Sequence, residues 1–491
     1  MGRITRRSLL TTGFLFGSVG CSRRDAVASG VAEASFPLPI PPLLDARDQG
    51  QTLALRVQAG TTSFYPARPS NTLGYNGSYL GPTLRVHRGD DVTVAVTNSL
   101  SADTTVHWHG LLIPGELDGG PHQVISPGAT WRPTLPIRQP AATLFYHSHA
   151  HGLTAEQVYS GLAGTLIVTD EEEQGLGLPA DYGVDDLPLV IQDRQFQNGR
   201  LVSPAGMMVA MQGRRGDTIL VNGEPNPLAR VPTRLVRLRL VNGSNARIYE
   251  LSFSDQRSFH WIAAEGGLLE RSVELRAITL APGQRAEILV DFANGRPVSL
   301  LTGPDANASM MGGMGMGGAG LANNPASATV LRFEPRRMAQ ARTSASLPDL
   351  LVARARPDPT KPVQRRRLVL NMGMGGGRGM GGGMGLTIDG KAFDINRIDQ
   401  RVRLGTTEIW EVSGDMMRHP VHIHGVHFDV LSRSGDKPDV LDQGPRDTVL
   451  VKEPVEFLIQ FTQPATKVPF MYHCHILEHE DNGMMGQFSV T

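Results

Sequence analysis

Five His-x-His pairs stand in this chain, His107/His109, His147/His149, His149/His151, His422/His424 and His473/His475, where a shuffled chain of the same histidine content would show about 0.5. In a β-strand, residues two apart face the same way, so each pair sets two imidazoles on one face and aims them at one place. With the overlap at His151 set aside, four pairs remain, two in the first third of the chain and two near its end. One such pair alone reads most simply as exposed or hydrogen-bonded histidines on a loop. Four pairs supply eight neutral nitrogen donors, enough for several metal ions. The fold must therefore bring the front of the chain and its end together along one seam.

Cys474 lies inside the last pair, His473-Cys474-His475, and is followed by His479 and Met484 in the spacing CxxxxHxxxxM, with His419 available upstream. A thiolate, two imidazoles and a weak axial thioether are the ligand set of a blue-copper electron-transfer site, whereas zinc takes four strong ligands. A lone cysteine usually ends as a core residue, but this one has a histidine on each side. On a strand, Cys474 faces one way and its two neighbours the other, so one covalent segment joins a single-electron acceptor to a multi-metal centre. Such a link suits the reduction of dioxygen to water, which takes four electrons.

Between these motifs the chain reads as strands. From about residue 50 to 170, short β-branched runs such as Val92-Thr93-Val94-Ala95-Val96 and Thr165-Leu166-Ile167-Val168 alternate with Gly, Pro, Asn and Asp turns, and the grammar recurs over 185–335 and from 366 to 491. This spacing predicts antiparallel β-sandwiches or barrels. Two matching stretches, Leu220-Val221-Asn222-Gly223 and Thr387-Ile388-Asp389-Gly390, argue that the units are related repeats. The predicted organisation is a lead at 1–45 and β domains at 46–175, 185–335 and 368–491. A basic linker with nine Lys and Arg, expected to be solvated, runs over 336–367.

The lead carries Thr5-Arg6-Arg7-Ser8-Leu9-Leu10 and then an apolar run too short to span a bilayer, the pattern of a twin-arginine export signal. Ser18-Val19-Gly20-Cys21 offers a weak lipoprotein box and Ala26-Val27-Ala28 an ordinary cleavage site, so a lipid anchor at Cys21 and simple removal of the lead both stand. Either way the mature chain is expected outside the cytoplasm, as a monomer, with no transmembrane segment. Lys+Arg and Asp+Glu both total 47, which leaves no polybasic face for nucleic acid or an anionic membrane. Cys21 and Cys474 are the only cysteines, which excludes a disulfide scaffold.

Together, His107-Trp108-His109-Gly110, His147-Ser148-His149, His419-Pro420-Val421-His422-Ile423-His424-Gly425 and His473-Cys474-His475-Ile476-Leu477-Glu478-His479 with Met484 resemble the signature of the multicopper oxidases, over nearly the whole mature length. The resemblance implies an all-β fold of three cupredoxin-like (Greek-key β-sandwich or barrel) domains and four copper ions. Type 1 copper would sit on His419, Cys474, His479 and axial Met484, and type 2 copper on His107 and His422. A type 3 pair would share His109, His147, His149, His424, His473 and His475. The resemblance further implies dioxygen as electron acceptor and proton delivery by Asp118 and Glu480. Read alone, Asp118-Gly119 is a turn and Glu480 an exposed helix acid. His87, His122, His151, His260 and His427 fall outside the set and are expected to make ordinary contacts.

Eight of the eighteen methionines fall in two Gly-rich tracts, 310–316 and 372–384, which cannot bury a core and are expected to be mobile loops. Thioether sulfur is a soft ligand that selects Cu(I). Asp415-Met416-Met417 stands just before His419, and Asp415 and Met417 match the substrate-copper positions of bacterial copper-tolerance oxidases, which the chain also resembles. The expectation is a cuprous oxidase whose substrate Cu(I) meets Asp415, Met417, Met372, Met374, Met380 and Met384. The tracts lack the histidines often found in the Met-rich insert of those enzymes, so a laccase-like oxidase of phenols or other small reductants stands beside it. A copper-binding protein without turnover is a third reading, and the complete ligand set argues against it.

Overall fold

The structure, a computed structural model, describes residues 36–307, 327–337, 347–374 and 384–491. The export lead, the 310–316 tract and Met380 lie outside the described residues. Strands dominate what is described, and they form six sheets, two in each β unit. Each pair of sheets closes on its own apolar cluster. In the first unit, Leu53, Leu55 and Val57 alternate inward from strand Thr52–Thr62 to meet Leu84, Val94, Leu144 and Leu166. Leu187, Leu189 and Ile191 do the same in the second against Leu238 and Ile288, and Leu368 and Leu370 in the third against Trp410 and Phe457. Period-two alternation of this kind is what one buried sheet face requires. The architecture is all-β, in three cupredoxin-like units.

The three units share one hairpin. Strand Thr52–Thr62 pairs antiparallel with Ser70–Tyr75 and parallel with Asp91–Asn98. Asp186–Gln197 pairs likewise with Thr218–Val221 and Leu235–Asn242, and Gln364–Met374 with Met384–Ile388 and Thr407–Gly414. Just past the second strand of each hairpin stands Asn76, Asn222 or Asp389, at φ +57°, +52° and +53°. Its Oδ1 accepts from the backbone N–H of Arg56, Val190 or Val369, at 2.6, 2.8 and 2.8 Å. Asn and Asp tolerate this left-handed backbone and can bond back to the chain. The repeat seen at 220–223 and 387–390 is thus a turn clamp, and Tyr75-Asn76-Gly77 is its third copy.

Two stretches differ from the sequence reading. Residues 347–356 are not a solvated linker: Leu351 is buried in a cluster with Ile262 and Leu289, and Arg354 donates twice to the Asp429 carboxylate, at 2.6 and 2.9 Å. A guanidinium fork that finds a carboxylate staples a segment rather than solvating it. The 372–384 tract is not loop throughout either. Met372 and Met374 end strand Gln364–Met374 and pair with Leu386 and Met384, because the inward alternation of Leu368 and Leu370 runs on to Met372, which is buried.

Candidate metal centres

In the first unit strand His107–His109 pairs with Ala142–His147, with His107 opposite His147. In the third, His419–Ile423 pairs with Ala465–Cys474, with His422 opposite His473. Trp108, between two histidines, packs into the first core beside Trp131 and Tyr146. Register therefore sets the imidazoles of each unit on one face, and the two faces meet. His109 stacks on His422 with ring centroids 3.6 Å apart, and His107 on His424 at 3.9 Å. All eight rings are buried.

Their nitrogens gather in three groups. His107 and His422 donate Nδ1–H to the carbonyls of Asp118 and Asp447, both at 2.9 Å. A carbonyl only accepts, so the Nε2 atoms left facing each other at 3.4 Å both carry lone pairs. In the second group, Nε2 of His149 and of His424 lie 3.2 and 3.1 Å from Nε2 of His473. His473 donates Nδ1–H to the Cys474 carbonyl at 3.1 Å, and His424 to Asp118 Oδ2 at 2.7 Å. In the third, His147 donates Nδ1–H to the Ser148 carbonyl at 2.8 Å, and its Nε2 faces His109 Nδ1 at 3.4 Å. His109 donates Nε2–H to Asp447 Oδ1 at 3.1 Å. His475 stands 5.0 and 5.3 Å from His109 and His147 between ring centroids, with neither of its nitrogens hydrogen-bonded.

Facing lone pairs repel unless a cation lies among them. Two nitrogens held 2.0–2.1 Å from one ion at a tetrahedral angle stand about 3.4 Å apart, and the separations here run from 3.1 to 3.4 Å. Burial first, and neighbouring imidazoles second, hold His109, His147, His149, His424, His473 and His475 well below the usual histidine pKa. Neutral imidazole is the ligating form. The donors fit metal ions.

A fourth group lies across the strand. Cys474 Sγ is 3.4 Å from His419 Nδ1 and 3.5 Å from His479 Nδ1. Met484 is buried and its carbonyl accepts from the Cys474 N–H at 3.1 Å. His419 donates Nε2–H to the Asp415 carbonyl at 3.1 Å and His479 to the Met211 carbonyl at 3.0 Å, so both rings turn Nδ1 toward sulfur. Burial pulls His419 down to about 4 and His479 to about 3, and pushes the Cys474 thiol up. The strand ends at Cys474, and His475 follows just beyond it. Cys474 thus stands with His419 and His479 while His473 and His475 stand among the other imidazoles.

Asp118 is buried; besides its bond to His424, its Oδ1 has no hydrogen-bond partner. Glu480, on helix Leu477–Asp481, is buried too, with Oε1 3.2 Å from His149 Nδ1 and Oε2 3.2 Å from His473 Nδ1. It is no exposed helix acid; burial, and then Asp481, push it well above the ordinary carboxylate range. Asp447 escaped the sequence reading. Burial would raise its pKa, but the Arg285 guanidinium, donating at 2.8 and 2.6 Å, and then His109 hold it well below the usual value. Arg446-Asp447-Thr448 carries no motif, and only the register of His422 opposite Thr448 reveals it. The Met211 carbonyl escaped as well.

Of the expected substrate residues, Asp415 is half-buried and its Oδ1 accepts from the Met372 N–H at 2.7 Å. Met417 and Met372 pack in the third core, and Met374 and Met384 pair with each other at the end of their hairpin. His87, His122 and His427 bond to Thr169, Gln487 and the Gly110 carbonyl, the ordinary contacts expected of them.

Family models described as multicopper oxidase match residues 56–173 and 358–491. The chain is 40% identical over 458 residues to a cell division protein FtsP of Xenorhabdus nematophila, covering 92% of each. It is 38% identical over 469 residues to a multicopper oxidase mco of Staphylococcus aureus, covering 94% of each. Among solved structures it is similar to a bacterial laccase-like multi-copper oxidase CueO from lignin-degrading Ochrobactrum sp., at 38% identity and a TM-score of 0.83, over 93% of this chain and 100% of that one.

Proposed function

Since the chain belongs to the multicopper oxidases, copper enzymes that couple a reductant to dioxygen, we propose that it works outside the cytoplasm and takes single electrons from Cu(I) in preference to phenols. The observation that carries the oxidase reading is the complete donor set, in which nearly every ligating nitrogen is aimed by an acceptor bonded to the other side of its ring. His419, Cys474, His479 and Met484 would hold type 1 copper, and His107 and His422 type 2. His109, His147 and His475 with His149, His424 and His473 would hold the type 3 pair. When bound, these four ions supply one-electron acceptance at the thiolate site and reduction of dioxygen among the imidazoles.

The chain itself does the rest. The carbonyls of Asp415 and Met211 lock the two rings beside Cys474, so a change of charge there finds its surroundings already oriented. Cys474 leads to both neighbouring histidines through the backbone, and the bond from His473 Nδ1–H to the Cys474 carbonyl, 3.1 Å long, shortens one of these routes. Reduction of dioxygen to water consumes four protons. Glu480, whose hold on a proton burial and then Asp481 strengthen, stands 3.2 Å from Nδ1 of both His149 and His473 and can hold a proton there and release it at its carboxyl oxygens. Asp118, bonded to His424 through Oδ2, offers a second buried oxygen without a hydrogen-bond partner.

Asp415 supports Cu(I) as the substrate: its carbonyl holds His419 while its carboxylate remains half-buried beside the methionines of the third unit. The laccase reading draws on the Ochrobactrum enzyme, described as having oxidase activity towards lignin model compounds and lignosulfonate. A part in cell division rests on the name of the FtsP relatives alone. For location the support is the export lead; no helix among the described residues is long and apolar enough to cross a membrane. Oxygen uptake by the copper-loaded protein tests the reading. The expected result is a higher kcat/KM with Cu(I) than with a phenol, and the reverse order selects the laccase.

A further inference from the structure

Behind the imidazoles of the first unit lies a line of oxidisable rings. Trp108 stands between His107 and His109, and directly across from it in register is Tyr146, the residue before His147. The two rings are 6.1 Å apart between centroids, and Tyr146 leads on to Tyr75 at 5.1 Å. Trp108 also stacks on Trp131, with centroids 6.3 Å apart and planes 20° from parallel. Trp131 belongs to the other sheet of the unit, where strand Thr130–Trp131 forms an edge against Asp91–Asn98, and its side chain is half-buried. The stack therefore runs from between two ligating histidines to the rim of the fold.

Packing alone does not account for Trp108. A buried indole usually gives its N–H to an acceptor. The other two fully buried tryptophans do so, Trp261 to the Ala263 carbonyl at 2.6 Å and Trp410 to the Glu408 carboxylate at 2.8 Å. Trp108 Nε1 is buried with no hydrogen-bond partner among the described residues. An unpaired buried donor is costly, and phenylalanine would fill the site without one. What indole has and phenyl lacks is readiness to give up an electron. With no acceptor at Nε1 its proton has nowhere to go, so an electron leaves and returns without any atom moving. The tyrosines are less suited. Tyr146 donates its hydroxyl to the Pro82 carbonyl at 2.8 Å, and the buried Tyr75 hydroxyl has no partner among the described residues. Neither phenol has a base to take the proton that its oxidation releases.

We propose that Trp108 and Trp131 form a one-electron relay between the rim of the first unit and the imidazole cluster, separate from the route through Cys474. Its function is to complete the reduction of dioxygen when the thiolate site falls short. If three electrons have come through Cys474, Trp108 gives the fourth and is refilled by Trp131, and Trp131 is refilled by the external reductant. Four electrons and four protons still convert one dioxygen to two waters. The oxidising equivalent ends at the rim, where a reductant reaches it, and not on a ligating histidine. The relay serves equally whether that reductant is Cu(I) or a phenol.

The test uses the copper-loaded protein, cycled in air with reductant held scarce and catalase present, then digested and mapped by mass spectrometry. Oxygen adducts are expected on Trp131, and samples frozen during cycling are expected to show a tryptophanyl radical by electron paramagnetic resonance. In Trp108→Phe, which leaves Trp131 in place, the Trp131 adducts are expected to fall to the level of copper-free protein treated alike. If Trp108→Phe loses copper, Trp131→Phe decides. Its initial rate with ample reductant is expected to match the parent's, while under scarcity the adducts move to Trp108 and fewer turnovers precede inactivation. Trp131 adducts that persist in a copper-retaining Trp108→Phe protein would mark a ring oxidised from solution and overturn the proposal. So would a parent protein with neither radical nor adducts, or a Trp131→Phe protein that lasts as many turnovers as the parent.

Discussion

Asp447→Asn takes one charge and almost no volume from the seam between the first and third units. The carboxylate is fully buried; it accepts from Arg285 at 2.8 and 2.6 Å, from His109 Nε2–H at 3.1 Å and from the Thr448 hydroxyl at 2.8 Å. Asparagine offers one acceptor where there were two and turns an N–H group toward its partners, leaving the equally buried Arg285 cation without a counter-charge. Breaking a buried ion pair from one side costs about 3–5 kcal/mol. Removing the carboxylate behind a ligating histidine lowers metal affinity roughly 10–100-fold. The expected outcome is a lower unfolding midpoint and a reduced copper-to-protein ratio after dialysis, measured by elemental analysis. The blue absorbance should persist, because Cys474 sits with a separate set of ligands. Arg285→Met/Asp447→Asn separates the two effects. Part of the stability should return once the lone cation is gone, while copper retention should not, since His109 still lacks its carboxylate. An asparagine variant that keeps its full copper, or a double variant that regains copper along with stability, would refute the reasoning.

Cys474→Ser should erase the blue absorbance and oxidation of every reductant while circular dichroism shows the β units still folded; a blue serine variant would contradict the thiolate assignment. Glu480→Gln should slow dioxygen reduction on the order of 10²–10⁴-fold but leave anaerobic bleaching of the blue band by reductant at its original rate. Equal slowing of both would make Glu480 a packing residue. In copper-free protein, His419 and His479 are pulled to about 4 and about 3, so below about pH 6.5 the unfolded chain binds protons that the folded chain refuses. Their contribution is intact above that pH and is lost as pH falls toward 4 and then 3. The denaturation midpoint of the copper-free protein should drop through that window, and a flat profile would contradict their burial.

Much of the centre was legible because strand geometry turns spacing into direction: His107 and His109, or His422 and His424, share a face whatever else the fold does, and Cys474 opposes its neighbours. The parts that stayed hidden depend on what lies across from a residue. Asp447 acquires its role from register with His419–Ile423, and Met211 from a helix of another unit that reaches His479 through its carbonyl, an atom every residue possesses. The stretch at 347–356 misled because a basic composition says nothing of where acids such as Asp429 stand. Met372 misled because glycines around it masked an inward alternation begun at Leu368. Glu480 needed the family resemblance, since an acid on a short helix is ordinary until the helix is seen to be buried.

The even division of the eight imidazoles, four from residues 107–149 and four from 422–475, also sets an order of events in the life of the chain. Synthesis runs from the amino end, so the first four rings exist well before the last four, and a growing chain holds only part of each shared site. The full set of donors along this seam exists only once residues 473–475 have been added and both ends have docked. Full loading is therefore a late step, and a filled centre certifies that the whole chain has been made and correctly closed.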